Sequence, residues 1–394
     1  MLRTAGALVA GGRAYGVCDA AAASEHLQSK QTYFQRFPTL FAPFYGEATK
    51  ETLLRQVGDG IWAVEQNLEI GPLQTPLRCV VVRLRDGSLW VHAPLAPTEE
   101  FFELVEACGN GSPDCVAHVV APTYALEHKV FVKDALKRWP RARLWTSPGQ
   151  FSFPVQVPDD VVWGKEVSGV LDGSDIDLAP PTIPWSDEIQ FETLAAGTFR
   201  IGGSPLTFYE TVFFHRRSKS LIVTDCLARI QLTAPGRLSE PQKLLLISKR
   251  STAEPLPADT AEARQVGWEK TALLVTYFFP EHEELDPDAG VGVVTWTTGW
   301  HENFKALAGR LVVPPVVRTL IYAQDPARVK RWAERVATRW DFDQVVPAHW
   351  EAPIHASKKD FEKAFAFLED GSIDAFPAND LARGLKPIAN IFLQ

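Results

Sequence analysis

A β-hairpin signal around residue 86 constrains the fold of this chain more than any other feature. Asp86-Gly87 is a tight-turn pair, and apolar, β-branched runs flank it, namely Arg78–Leu84 (RCVVVRL) and Ser88–His92 (SLWVH). Asp-Gly between two such runs favours a two-residue hairpin turn, because glycine tolerates the positive φ that this turn needs. The sequence therefore predicts an antiparallel pair of strands here and excludes an all-helical fold.

Helices alternate with strands after this hairpin. We predict strands at Ile61–Val64, Arg78–Leu84, Ser88–His92, Val116–Val120 and Arg143–Thr146, and helices at Thr98–Ala107 and Leu126–Arg138. Thr98 is the expected N-cap of the first helix, because acidic residues follow it in the first turn. A β-β-α-β-α-β order predicts an α/β fold built in layers.

Strands and helices also alternate in the second half of the chain. We predict strands at Phe208–Phe214, Leu221–Thr224, Arg310–Val313 and Phe342–Val346, and helices at Pro326–Thr338 and Ser357–Leu368. Residues 227–300 depart from this alternation of strands and helices, because a polar, proline-bearing stretch, Ser251–Glu262, precedes an apolar run, Thr271–Phe279. We expect an insertion there that forms a lid or a side layer.

Charge and cysteine content exclude several classes of protein. The 394 residues carry 40 Lys and Arg against 48 Asp and Glu, a formal net charge of −8. An acidic surface repels phosphate backbones, so we expect no nucleic-acid partner. The five cysteines include no Cys-x-x-Cys pair, which argues against a disulfide framework and a zinc ribbon. The longest apolar run, Ala272–Phe279, is too short to cross a bilayer, so we expect no transmembrane segment.

The two ends of the chain differ from its centre. Residues 1–24 are rich in alanine and contain two arginines and no acid before Asp19, a composition that is similar to organelle transit peptides and also fits a disordered tail. We expect residues 1–30 to be poorly packed and removable. Residues 31–53 are predicted to form an arm, residues 54–370 one domain, and residues 371–394 a tail.

Polar residues follow three of the predicted strands. Glu127 and His128 come after Val116–Val120, and Asp225 and His349 directly follow two strands of the second half. Ligands gather at strand ends in layered α/β folds, and such donors suit zinc, iron or manganese. Each residue also has a structural explanation, since an acid stabilises a helix N-terminus or a turn and a lone histidine is often a satisfied core residue. The common nucleotide and hydrolase motifs are absent from the sequence.

Four long segments resemble the DUF4336 family and occur in the family's order. They are RCVVVRLRDGSLWVHAPLAPT, VAPTYALEHKVFVKDALKRWPRARLWTSPGQFSFP, ETVFFHRRSKSLIVTD and WDFDQVVPAHWEAP. The resemblance covers roughly Leu54–Leu368. This family occurs largely in cyanobacteria, algae and plants and is a distant relative of the metallo-β-lactamase-like hydrolases. The resemblance therefore implies a four-layer αββα sandwich, with the insertion at residues 227–300, and a chloroplast or plastid location.

The wider superfamily has a His-x-His-x-Asp-His motif, which matches residues 123–128 of this chain. Thr123 and Ala125 replace its two leading histidines, whereas Glu127 and His128 retain an acid and the last histidine. The superfamily's bridging aspartate and its final histidine match two further residues of this chain, Asp225 and His349. Its remaining histidine has Glu210 as the nearest polar counterpart here.

These departures imply that one of the superfamily's two metal positions is lost. Glu127, His128, Asp225 and His349 would remain to hold a single zinc or iron ion with an open position for water. We therefore expect a degenerate, non-catalytic binding or assembly module of plastid type, with an unknown small molecule or protein as its partner. A metal-dependent hydrolase of an ester, amide or thioester with one ion is the alternative. A single-iron oxidoreductase is a third possibility.

Overall fold

The computed structural model describes residues 31–36, 38, 45–123, 125–150, 157–173, 183–201, 204–236, 238–251, 254–277, 282–285, 294–370 and 385. The expected leader and nearly all of the expected tail lie outside these residues. Within the expected arm, Gln31–Thr32 (β1) pairs antiparallel with Thr49–Lys50 (β2).

A seven-stranded sheet contains the predicted hairpin. Its strands follow chain order: β3 (Leu53–Gly58), β4 (Ile61–Ile70), β5 (Leu73–Arg83), β6 (Leu89–His92), β7 (Val116–Ala121), β8 (Arg143–Thr146) and β9 (Val167–Val170). Strands β3 to β6 pair antiparallel, and β6 to β9 pair parallel. Gly87 adopts a φ of 87° in the turn between β5 and β6, so the Asp-Gly signal marked a real hairpin.

A five-stranded sheet forms from the second half of the chain. Its first three strands are β10 (Ile189–Ile201), β11 (Ser204–His215) and β12 (Ser220–Val223). The next two strands of the chain, β13 (His282–Leu285) and β14 (Val294–Trp296), form a separate two-stranded sheet. The last two strands of the five-stranded sheet are β15 (Gln344–Pro347) and β16 (Ile354–His355). Strands β12 and β15 are parallel neighbours, and the other pairs are antiparallel. The parallel pair places the ends of β12 and β15 side by side.

Ten α-helices occur in the described part of the chain. They are α1 (Glu99–Ala107), α2 (Val132–Arg138), α3 (Asp159–Trp163), α4 (Pro241–Ser248), α5 (Ala261–Tyr277), α6 (Trp300–Leu307), α7 (Pro315–Leu320), α8 (Pro326–Arg339), α9 (Lys358–Ala364) and α10 (Phe367–Asp370). The Thr98 hydroxyl accepts a hydrogen bond of 3.1 Å from the Phe101 amide, as expected of the N-cap of α1.

Three apolar cores show how these elements are layered. Between the two sheets, Trp90 of one sheet packs among Phe191 and Phe213 of the other. The outer face of the seven-stranded sheet packs against α1, α2 and α3. The outer face of the five-stranded sheet packs against α5 and α8, whose Trp268 and Trp332 are fully buried. The order helix, sheet, sheet, helix confirms the expected αββα sandwich.

Within residues 227–300, the described helices α4 and α5 form part of the outer helical layer. Helices α4 and α5 lie in this insertion, and the apolar run that starts at Thr271 belongs to α5 up to Tyr277. Gly267 of α5 lies directly against the backbone of Leu244 in α4. This part of the insertion is a packed side layer, one of the two forms expected.

Three predicted elements differ in the structure. The helix expected over Leu126–Arg138 is a 3₁₀ turn, Leu126–His128, followed by α2, because Phe131 between them packs against aromatic rings of the arm, at 5.6 Å from the ring of Tyr33. Arg310–Val313 forms no strand and makes an isolated bridge from Val312 to Ala228. The helix predicted over Ser357–Leu368 is divided into α9 and α10, with Phe365 buried between them.

Among the described residues, none of the helices has both the length and the apolar character that crossing a membrane requires.

Candidate metal centre

Two of the four candidate residues leave the five-stranded sheet at the same edge. Strands β12 and β15 run parallel, with Val223 opposite Pro347 at their carboxyl ends. Asp225 and His349 each lie two residues beyond these ends. Parallel pairing therefore places their side chains next to each other, at the edge where layered α/β folds hold ligands.

The other two candidates, Glu127 and His128, follow strand β7 of the seven-stranded sheet. The chain leaves β7 at Ala121, and the Thr211 amide of β11 donates a hydrogen bond of 3.3 Å to the Pro122 carbonyl. Thr123 then forms an isolated bridge with Glu210 of the same strand. These contacts join the two sheets, and the 3₁₀ turn that follows carries Glu127 and His128 over the ends of β12 and β15.

The structure brings all four candidate residues together. The Nε2 atom of His128 lies 3.2 Å and 3.3 Å from the two carboxylate oxygens of Asp225, and the Nε2 atom of His349 lies 3.5 Å from one of them. The two imidazole rings are 5.0 Å apart between centroids. With Glu127 included, one ligand atom from each of the four residues lies within 4.8 Å of the others. This convergence is what the strand ends suggested.

Backbone contacts orient His349. Its Nδ1 atom lies 3.0 Å from the Pro76 carbonyl oxygen, which accepts hydrogen bonds and cannot donate them. The Nδ1 proton therefore points to Pro76, and the neutral ring directs the lone pair of Nε2 towards Asp225. Metal-bound histidines commonly make such a contact to a carbonyl through their other ring nitrogen.

A buried arginine holds the segment that carries His349. Arg78 donates hydrogen bonds to the carbonyls of Pro347 and Trp350, which bracket His349, and it pairs with Glu65 at 2.6 Å. Glu65 and Arg78 face each other across β4 and β5, and both are buried. Neither residue was among the candidates predicted from the sequence. The available signal was an acid in β4 and a base flanked by apolar residues in β5, and nothing local shows that the two residues face each other.

Buried charges shift the pKa values of the cluster. Burial disfavours the charged form of His128, but Asp225 outweighs it and raises the pKa of His128 to about 9. Burial disfavours the ionised form of Asp225, but the neighbouring His128 favours it and outweighs burial, so the pKa of Asp225 is lowered. Burial lowers the pKa of His349 to about 4. Burial also raises the pKa of Glu127. At neutral pH the metal-free cluster thus contains a His128–Asp225 ion pair beside a neutral His349.

Glu210, the further polar residue expected near the site, is not one of the four side chains whose ligand atoms converge. Its carboxylate accepts hydrogen bonds from the amide and the hydroxyl of Thr224, at 3.0 Å and 2.5 Å. Burial raises its pKa to about 7. Thr123 is also unsuited as a ligand, because its hydroxyl accepts a 3.3 Å hydrogen bond from the Ala125 amide and because a neutral hydroxyl is a weak donor to metals. Among the described residues, neither Glu210 nor Thr123 belongs to the group of possible ligands around Asp225.

His92 is a further buried histidine that sequence analysis missed. It ends β6, is fully buried, and stacks on Trp90 with 5.7 Å between the ring centroids. Burial and the positive charge of His128 lower its pKa to about 3. His92 is therefore a neutral neighbour of the cluster.

The donor set fits one divalent ion. Two carboxylates and two imidazoles are ligands that zinc and iron accept. The neutral Nε2 atom of His349 and an oxygen of Asp225 face each other at 3.5 Å as two lone-pair acceptors. Two acceptors at that distance repel unless a proton or a cation lies between them. The residues present are therefore chemically suited to a cation.

Comparison with known sequences identifies the family. The profile described as "Domain of unknown function (DUF4336)" matches residues 58–367, which is most of the chain. The chain belongs to the DUF4336 family. No curated protein matches it by sequence.

Several solved structures share a distant likeness to the fold. A metallo-β-lactamase from Pontibacter korlensis is 10% identical, with 81% of this chain and 100% of that chain covered and a TM-score of 0.36. A flavoprotein from Thermotoga maritima is 10% identical, with 80% and 61% covered and a TM-score of 0.42. The flavodiiron protein from Giardia intestinalis is 11% identical, with 81% and 59% covered and a TM-score of 0.41. This chain thus spans about three fifths of the last two proteins.

Proposed function

Given its place in the DUF4336 family, we propose that this protein holds one divalent ion, zinc or iron, and works as a binding or assembly module without catalysis. The proposed ligands are Glu127, His128, Asp225 and His349. The observation that supports this function is the convergence of four donor residues within 4.8 Å from three separate strand ends. When bound, the ion would supply a fixed positive charge that links the two sheets.

The number of donors favours a closed structural centre over the centre with an open water position that the superfamily resemblance implied. Structural zinc sites are closed by four protein ligands, whereas catalytic sites keep three and leave the fourth position for water. Hydrolases with two metal ions also need a second cation to stabilise the attacking and leaving oxygens. Thr123 and Ala125 stand where that position would require histidines. Both considerations support a non-catalytic role.

Metal analysis of matched variants tests the proposal. We expect about one equivalent of zinc or iron in the purified protein and none in His349→Ala, since a site with one ligand removed loses most of its affinity. Thr123→Val should keep the full equivalent, because its hydroxyl is not among the proposed ligands. Circular dichroism would show that both variants fold. A wild-type protein that takes up neither metal would contradict the proposal, as would full metal content in His349→Ala.

A single-metal hydrolase is the second candidate, and one observation favours it. Burial raises the pKa of Glu127, as it does in general bases that work near neutral pH. In that case His128, Asp225 and His349 would hold the ion, and Glu127 would accept a proton from water. Glu127→Gln separates the two functions. Loss of the metal supports the closed site, whereas retention of the metal with loss of activity towards a thioester or ester probe supports the hydrolase. Iron that changes oxidation state would instead favour an oxidoreductase.

We also propose a plastid location. The family's distribution and the acid-poor composition of residues 1–24 support it. A fluorescent reporter fused behind residues 1–50 should enter plastids of a plant or algal cell. A reporter that stays in the cytosol would contradict this location.

A further inference from the structure

We propose that Glu210 positions the candidate metal centre, a role that rests on the proposed function. Its side chain holds the segment of Asp225, and its backbone holds the segment that leads to His128. Glu210 lies in β11 and is fully buried. In the antiparallel pair of β11 and β12, Phe213 faces Ile222. Continued over three more residues, this register puts Glu210 opposite Asp225.

The Glu210 carboxylate binds the residues on both sides of Asp225. One of its oxygens accepts a hydrogen bond of 3.0 Å from the Thr224 amide, and the other accepts one of 2.5 Å from the Thr224 hydroxyl. On the other side, burial, the charge of Glu210 and a hydrogen bond from the thiol to its carboxylate raise the pKa of Cys226. Glu210, Thr224 and Cys226 are at most 1% exposed, so bulk water does not compete for these bonds. One carboxylate therefore holds the backbone before and after Asp225.

The backbone of Glu210 holds the other half of the centre. Glu210 forms the isolated antiparallel bridge with Thr123, at the start of the segment that carries Glu127 and His128. Hydrogen bonds continue from there into the 3₁₀ turn. The Thr123 hydroxyl accepts one of 3.3 Å from the Ala125 amide, and the Ala125 carbonyl accepts one of 3.2 Å from the His128 amide. A displacement of Glu210 would therefore move ligands from both sheets.

Glu210 acts on the ion through the ligands that it holds. Its carboxylate is engaged with Thr224 and Cys226 and is not one of the four converging ligand side chains. Metal–ligand distances must hold to about 0.2 Å, so small shifts of the Asp225 backbone matter. Residues that orient metal ligands by hydrogen bonds typically change metal affinity about 10–100-fold when they are replaced.

Zinc titration of the full chain against a competing chelator tests this role. Glu210→Gln keeps the shape of the side chain but leaves one acceptor oxygen instead of two, and it should weaken zinc binding about tenfold. Thr224→Val removes the hydroxyl bond and leaves the charge of Glu210 in place, and it should weaken zinc binding at least about threefold. Glu192→Gln is a matched control, because Glu192 is a buried carboxylate of the same sheet that pairs with Arg339 at 3.0 Å. Its zinc affinity should stay within about twofold of wild type.

Bound cobalt reports the geometry of the ligands. The visible absorption of Co²⁺ depends on how its ligands are arranged. Glu210→Gln and Thr224→Val should therefore change this spectrum, whereas Glu192→Gln should not. Wild-type zinc affinity in Thr224→Val would show that Glu210 acts through its charge alone and would overturn the positioning role. Equal losses of affinity in Glu210→Gln and Glu192→Gln would overturn it as well.

A measurement in EDTA separates this role from the proposed function. When Asp225 shifts, its contact with His128 weakens, so NMR titration of Thr224→Val should give a pKa of His128 at least about 0.5 below that of wild type. A wild-type protein that binds neither zinc nor cobalt would contradict the proposed metal site, and the pKa of His128 would still decide the role of Glu210. An unchanged pKa in Thr224→Val would overturn that role. Wild-type metal binding with unchanged affinity in both Glu210→Gln and Thr224→Val would overturn it and leave the metal site standing.

Discussion

Replacing Asp225 with asparagine should remove a pH-dependent part of the stability of the metal-free protein. The two carboxylate oxygens of Asp225 lie 3.2 Å and 3.3 Å from Nε2 of His128, and the side chain of His128 is fully buried. Asparagine keeps the shape of the side chain but removes its charge. Burial then acts on His128 without the opposing carboxylate and should keep the imidazole neutral at pH 7.

The magnitude follows from the pKa of His128. It rises from an ordinary value of 6.5 to about 9 in the folded protein. Because the folded-state pKa is the higher one, this stabilisation is complete below pH 6.5 and is lost as the pH rises through 9. At about 1.4 kcal/mol per pH unit between the two values, the His128–Asp225 pair contributes on the order of 3 kcal/mol, most of which is present at pH 7.

Urea unfolding with EDTA at pH 7 and at pH 10 measures this contribution. The free-energy difference between wild type and Asp225→Asn should be about 2–3 kcal/mol larger at pH 7 than at pH 10. Asp341→Asn is a matched control, because Asp341 pairs with Lys219 at an exposed site. Its effect should be small at both pH values. An equal loss of stability at pH 7 and pH 10 for Asp225→Asn would refute the assigned ion pair.

Three further outcomes are expected. Arg78→Gln should lower the free energy of unfolding by about 2–3 kcal/mol in a urea titration. The substitution removes the 2.6 Å partner of the buried Glu65 carboxylate, which keeps only Arg55 at 2.7 Å, and a loss below about 1 kcal/mol would contradict this. Gly267→Ala should lower the free energy of unfolding by about 3 kcal/mol, because the new Cβ would lie 2.0 Å from the backbone oxygen of Leu244. An unchanged stability would contradict this and show that α4 and α5 can move apart. The zinc affinity of the protein, measured against a competing chelator, should fall about tenfold between pH 8 and pH 7, because the ion must displace the proton of His128. An affinity that does not change with pH would exclude His128 as a ligand.

Local patterns in the sequence predicted much of the fold. The hairpin at Asp86-Gly87, the N-cap Thr98 and the helix that begins at Pro326 all appear where the sequence predicted them. Turn residues, caps and alternating apolar residues act over a few positions, so a short stretch of sequence contains the whole signal. The prediction failed where a distant contact reshapes the chain. Phe131 interrupts the helix predicted over Leu126–Arg138 by packing against the arm.

The four candidate ligands were accessible from the sequence as polar residues beyond strand ends, together with the resemblance to a family. Their mutual distances were not. His128 and Asp225 are 97 residues apart, and Asp225 meets His349 because β12 pairs in parallel with β15. The Glu65–Arg78 pair that holds the His349 segment was missed for the same reason, since the carbonyls that Arg78 binds lie 269 and 272 residues further along the chain. Sequence alone determined which chemical groups the chain carries and which local elements they follow. Only the packing of the two sheets decided which groups meet, because contacts across such separations depend on all the strands and helices between them.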